Sequence, residues 1–131
     1  MTQKIRIALL GLSRVGEIFS EHFLEKIQEQ HINVEIVAVA THQLDSPVAL
    51  GYAHSHIPVF EDALKVAELG DKVDIIFDLT GNPEVRRQLR EKMQATNNQH
   101  TVIAPEIFAQ LLWEFFSEGE ALPHSAKMGY K

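Results

Sequence analysis

The sequence predicts an α/β fold, a doubly wound parallel sheet of five strands in the order 3-2-1-4-5, in three layers with helices on both faces. Three observations predict it. Apolar runs rich in β-branched residues alternate with segments of helical spacing along the whole chain. The connections between them are short, and right-handed crossovers then make the strands parallel. The first run, Lys4 to Leu10, breaks at Gly11 and restarts with helical spacing, which is the strand, tight turn and helix of a phosphate-binding unit.

Taken in order, the first strand ends at Gly11, and Val15, Ile18, Phe19, Phe23 and Ile27 then form one apolar stripe at spacings of three and four. The opposite face carries Glu17, Glu21, Glu25 and Lys26 and is expected in solvent. Val34 to Ala40 is nearly continuous in apolar residues, as befits a strand covered on both faces. Asp45-Ser46-Pro47 reads as a pair of cap residues with proline at the first helical position, opening a short helix through His54.

Ile57 to Phe60 is a short third strand whose proline suits an edge, and Glu61 to Leu69 is predicted helical up to Gly70. Val73 to Leu79 is the fourth strand, closing on Thr80-Gly81. Asn82-Pro83 caps a polar helix over Glu84 to Ala95 that turns Val85, Leu89 and Met93 inward. Thr101 to Ala104 is the fifth strand, and a last helix runs from about Pro105 to Ser117.

A chain of 131 residues accommodates one domain, expected over residues 1–118, with a polar tail at 119–131. The hydrophobic fraction of 45% and charged fraction of 23% exclude disordered and fibrous classes. A net charge of −6 argues against a general nucleic-acid binder, which presents a basic face. No apolar run approaches the roughly 20 residues of a membrane span, and the N-terminus lacks a signal-peptide layout, so a cytoplasmic protein is expected. Without cysteine, thiol nucleophiles and cysteine-held zinc are excluded together.

The chemistry points to the first turn. Gly11-Leu12-Ser13-Arg14-Val15-Gly16 matches the dinucleotide pattern GxGxxG except that serine replaces the middle glycine. Gly11 permits the bend and Gly16 the close approach of helix to strand, while Ser13 crowds the pyrophosphate position by a Cβ and a hydroxyl. That hydroxyl and Arg14 are themselves candidate phosphate ligands; the competing reading is a glycine turn kept for packing alone.

An NAD site places an acid at the end of the second strand, on the adenosine ribose. This chain has Ala40-Thr41-His42-Gln43 there, and no arginine to meet a 2′-phosphate, so neither NAD nor NADP is favoured; Thr41 and His42 are the candidates near the ribose. Across the crevice, Thr80, Gly81 and Asn82 are candidate ligand contacts, against the alternative that Asn82 only caps its helix and Asp78 is a buried, satisfied carboxylate. His54 and His56 lack a third metal ligand nearby and read as loop histidines. No catalytic triad is recognisable and no metal site is expected.

The last helix carries more large apolar side chains than one stripe needs. Leu112, Trp113, Phe115 and Phe116 are expected to reach beyond the sheet, either as a homodimer or partner surface or as a patch covered by Leu122, Met128 and Tyr130 of the tail.

With these residues placed, the chain resembles the N-terminal nucleotide-binding domain of the glucose-fructose oxidoreductase and inositol dehydrogenase group, of homoserine dehydrogenase and of dihydrodipicolinate reductase. The resemblance rests on Ile7 to Gly11 with Gly16, on Ile57-Pro58-Val59-Phe60-Glu61-Asp62, and on Val73 to Val85. It covers about residues 4 to 105 and implies a Rossmann-like fold and an NAD or NADP ligand, with substrate-binding and catalytic residues supplied by a C-terminal domain, which a chain of 131 residues is expected to lack. A narrower resemblance, from Val73 to Val85 with Val102-Ile103-Ala104 and Ala109 to Glu114, is to Rossmann-type domains that precede PAS and kinase modules in bacterial signalling proteins, which implies ligand sensing.

The expected function is therefore a stand-alone NAD(P)- or nucleotide-binding domain, regulatory or partner-dependent, without catalysis of its own. The alternatives are an NAD(P)-dependent oxidoreductase, or its cofactor-binding subunit, completed by another chain, and an interaction module without a ligand.

Overall fold

The computed structural model of the protein describes residues 4–12, 15–30 and 32–116. These residues form five strands, β1 (Ile5–Leu10), β2 (Val34–Ala40), β3 (Val59–Phe60), β4 (Ile75–Asp78) and β5 (Val102–Pro105). The helices are α1 (Val15–Gln30), α2 (Pro47–His54), α3 (Ala63–Ala67), α4 (Pro83–Ala95) and α5 (Glu106–Phe116), with a 3-10 turn at Gly70–Lys72. The strands pair in parallel in the order β3-β2-β1-β4-β5, as the sequence predicts.

Strict alternation along β1 divides its side chains between two cores. Ile7 and Leu9 point to the layer that holds Phe23 of α1, Tyr52 of α2, and Ala109 and Trp113 of α5. Ala8 and Leu10 point to the opposite layer, with Val66 and Ala67 of α3 and Leu89 and Met93 of α4. Five parallel strands covered on both faces explain why these segments read as continuous apolar runs.

In β2 the alternation slips once. Ile7 pairs with Ile36 and Ala8 with Ala38, so Val37 is an extra residue. As a result Ile36 and Val39, three apart, share one core while Ala38 and Ala40 share the other.

The helix starts follow local capping chemistry. The Ser46 hydroxyl accepts from the Ala49 N–H at 3.1 Å, and Asn82 Oδ1 accepts from the Glu84 N–H at 3.0 Å, each with proline at the start of the helix. Of the cap pair Asp45-Ser46, serine is the one that bonds. The predicted helix from Glu61 to Leu69 is shorter, because Asp62 is its cap, accepting from the Leu64 N–H at 2.9 Å, and the chain tightens into the 3-10 turn at Gly70, whose φ is +64°.

Trp113 corrects the expectation for the last helix. It is 1% exposed and packs in the core, its ring meeting that of His22 edge-on at 4.9 Å. Leu112 is half-buried against the same core. Phe115 is 80% exposed, as expected, and the outward face of α5 is completed by Ile107, Phe108 and Leu111. Rotation of the helix about its axis decides this, and an apolar count cannot. Residues 119–131, with Leu122, Met128 and Tyr130, lie outside the described residues, as does the side chain of Phe116.

Candidate functional site

Crossovers from β1 run outward to β2 and β3, and those from β4 run outward the other way to β5, so the sheet changes direction between β1 and β4. In open sheets of this kind, ligands bind beyond the carboxyl ends of the strands at that change of direction. The two turns there are in contact. Gly11 has φ +87°, and a Cβ on it would stand 3.0 Å from Thr80 Cα and N and 3.1 Å from Leu79 C, all backbone. Its N–H donates to the Ala40 carbonyl at 2.8 Å, and the Leu79 N–H donates to the Leu10 carbonyl at 2.9 Å. Glycine at this position is required by the packing of β1's turn against β4's turn.

Beside this contact lies a crevice of about 310 Å³. Gly11 and Leu12 form one wall; Ala40, Thr41, His42 and Gln43 come from the end of β2, and Thr80, Asn82 and Val85 from the turn after β4 and the start of α4. Glu61 and Ala63 enter from the end of β3. The volume is at the small end of the range for ligand sites, about 300–1,000 Å³.

The turn after β4 is braced by a chain of hydrogen bonds. Asp78, 1% exposed, accepts from the Thr80 hydroxyl at 2.6 Å and the Thr80 N–H at 3.2 Å on one oxygen, and its other oxygen receives Arg86 Nε at 3.4 Å. The Thr80 hydroxyl in turn accepts from the Asn82 N–H at 3.2 Å. Asp78 is thus a buried and satisfied carboxylate that shapes the turn.

Of the residues expected at the site, the fold brings Gly11, Thr41, His42, Thr80 and Asn82 together around the crevice. The Thr80 hydroxyl and the Asn82 side-chain oxygen are engaged within their own turn. Gly81, with φ +68°, makes the bend between them and does not line the crevice. Val15 and Gly16 form the first turn of α1, and Ser13 and Arg14 lie outside the described residues. Thr41 is buried, and its hydroxyl accepts from the Gln43 N–H at 3.1 Å, whereas His42 is exposed.

Glu61 was not among the expected site residues. Its signal in the sequence is its position directly after the third strand, equivalent to that of Thr41 after the second. Because Ala40 pairs with Phe60, and the Thr41 N–H donates to the Phe60 carbonyl at 2.8 Å, the two chains leave the sheet side by side.

No family model and no curated protein sequence matches the chain. Solved structures do. The chain is similar to homoserine dehydrogenase from S. aureus, with a TM-score of 0.58 at 23% identity over 90% of this chain and 31% of that one. Another structure of the S. aureus enzyme matches with a TM-score of 0.52 at 24% identity over 95% of this chain and 33% of that one. Homoserine dehydrogenase from Thiobacillus denitrificans matches with a TM-score of 0.52 at 25% identity, over 88% and 26%. The chain spans no more than 33% of the length of these proteins. Strand order and likeness together define the class: a Rossmann-like α/β domain.

Proposed function

We propose that the chain is a nucleotide-binding domain whose ligand is NAD or NADP, acting as a regulatory or partner-dependent unit without catalysis of its own. The observation that carries this reading is the crevice at the change of strand direction, lined from the ends of β1, β2, β3 and β4. The phosphates would lie over Gly11 and the first turn of α1, where Ser13, Arg14, Val15 and Gly16 stand in the sequence and a helix N-terminus favours an anion. Thr41 and His42 would lie toward the ribose, with Thr80 and Asn82 across from them and Gly81 shaping the bend between those two. The domain is read as residues 1–118 of a cytoplasmic protein.

Asp78 is committed to Thr80 and Arg86, and among the described residues the titratable side chains that line the crevice are His42 and Glu61, both exposed. The test is thermal unfolding with NAD+, NADH, NADP+ and NADPH. A ligand at about 100 times its dissociation constant adds roughly 2.7 kcal/mol, a rise of several degrees for a domain of this size. Four flat curves at millimolar ligand would end the dinucleotide reading.

A second reading is an NAD(P)-dependent oxidoreductase completed by another chain, favoured by the likeness to structures named homoserine dehydrogenase. Cofactor turnover with homoserine or other small hydroxy substrates, in the presence of a co-purifying chain, would separate it from the first. A partner or second copy would be met through the exposed Ile107, Phe108, Leu111 and Phe115 face of α5.

A further inference from the structure

We propose that Glu61 reads the nucleotide's ribose, so that the crevice selects a free 2′-hydroxyl and rejects a 2′-phosphate; this rests on the nucleotide-binding reading above. In the usual arrangement the ribose diol meets an acid at the end of the second strand. Here that end carries Thr41, His42 and Gln43, and the Thr41 hydroxyl oxygen already accepts from the Gln43 N–H. The carboxylate comes from the neighbouring strand instead.

The pairing of Ala40 with Phe60 aligns the two strand ends, which sets Glu61 beside Thr41 on the crevice wall. Of the adjacent acids Glu61 and Asp62, Asp62 is committed to the α3 cap, accepting from the Leu64 N–H at 2.9 Å. Glu61 is the one that lines the crevice, and no lysine or arginine lines it among the described residues.

A carboxylate is an acceptor only, so it matches a vicinal diol, which donates two O–H groups. A 2′-phosphate offers no such donors at neutral pH and brings like charge against Glu61, with no lysine or arginine among the described lining residues to offset it. The chemical class selected is an adenosine nucleotide with both ribose hydroxyls free.

Isothermal titration of the full chain with NAD+, NADP+ and ADP tests this, using the natural sequence, Glu61→Gln and Glu61→Arg. The natural chain is expected to bind NAD+ about tenfold more tightly than NADP+, Glu61→Gln to reduce that ratio to about threefold or less, and Glu61→Arg to invert it. A natural chain that binds the two equally, or prefers NADP+, overturns the assignment while nucleotide binding stands, as does a ratio untouched in Glu61→Gln. Absence of binding by all three nucleotides overturns the nucleotide reading and this inference together. Unchanged unfolding midpoints of the two variants would show that the ratios report recognition and not misfolding.

Discussion

At the amino end of the sheet, the Asp74 carboxylate accepts from the Arg6 N–H at 2.8 Å, from the Arg6 guanidinium at 2.9 Å, and pairs with His100. Thr101 closes the same end, its hydroxyl bonding to the Val73 carbonyl at 2.6 Å. At the carboxyl end Asp78 is buried and braced, while Glu61 and His42 stand exposed around an open crevice. Both ends of a parallel sheet expose strand termini to water. The difference is that one end is tied together by the Arg6–Asp74 ion pair and by the hydrogen bonds of His100 and Thr101, while the other has Glu61 and His42 exposed beside the crevice. At the first the polar groups are engaged with one another; at the second Asp78, Thr80 and Asn82 are engaged within their turn, and Glu61 and His42 face solvent.

Three substitutions sharpen the contrast, in falling order of effect. Gly11→Val should be the most damaging, because it combines a left-handed φ with a Cβ 3.0 Å from Thr80 backbone that cannot move aside. A drop in the unfolding midpoint of about 10 °C or more is expected, and a drop under about 3 °C would mean the turns separate easily.

Asp74→Asn should lower the midpoint by about 3–6 °C at neutral pH. The Arg6 side-chain and backbone hydrogen bonds, with that from His100, hold the Asp74 carboxyl well below the usual carboxylate range. Because the folded value is lower than the unfolded one of about 4, the stabilisation is fully present above that pH and is lost as pH falls below it. Urea titrations from pH 7 to pH 2 should therefore show the two proteins converging in acid, and a gap independent of pH would remove the ion pair from the account.

Glu61→Gln should leave the midpoint within about 1 °C, since the side chain is exposed and caps nothing. A larger change would mean that the crevice wall, like the amino end, is built for stability.

Much of the fold was legible because its signals are local. Asn82 before Pro83 and Ser46 before Pro47 act on backbone groups two or three residues away, so a linear reading finds them. Gly11 was legible as a turn residue, but the reason for it, contact with Thr80, is 69 positions distant. Trp113 was misread as a surface residue because the angle at which α5 lies on the sheet is set by packing against His22 and the core. Glu61 was passed over because its neighbour Thr41 is supplied by strand pairing and not by sequence proximity.

The sequence by itself determined the order of strands and helices and the parallel topology, and with them the strand ends between which the crevice opens, since periodicity, caps and handed crossovers depend on near neighbours and chain chirality. The tertiary structure alone decided which carboxylate borders that crevice, how Asp78 is neutralised and which face of α5 meets water. Those outcomes depend on register and helix rotation, which arise only when segments far apart in the chain pack together.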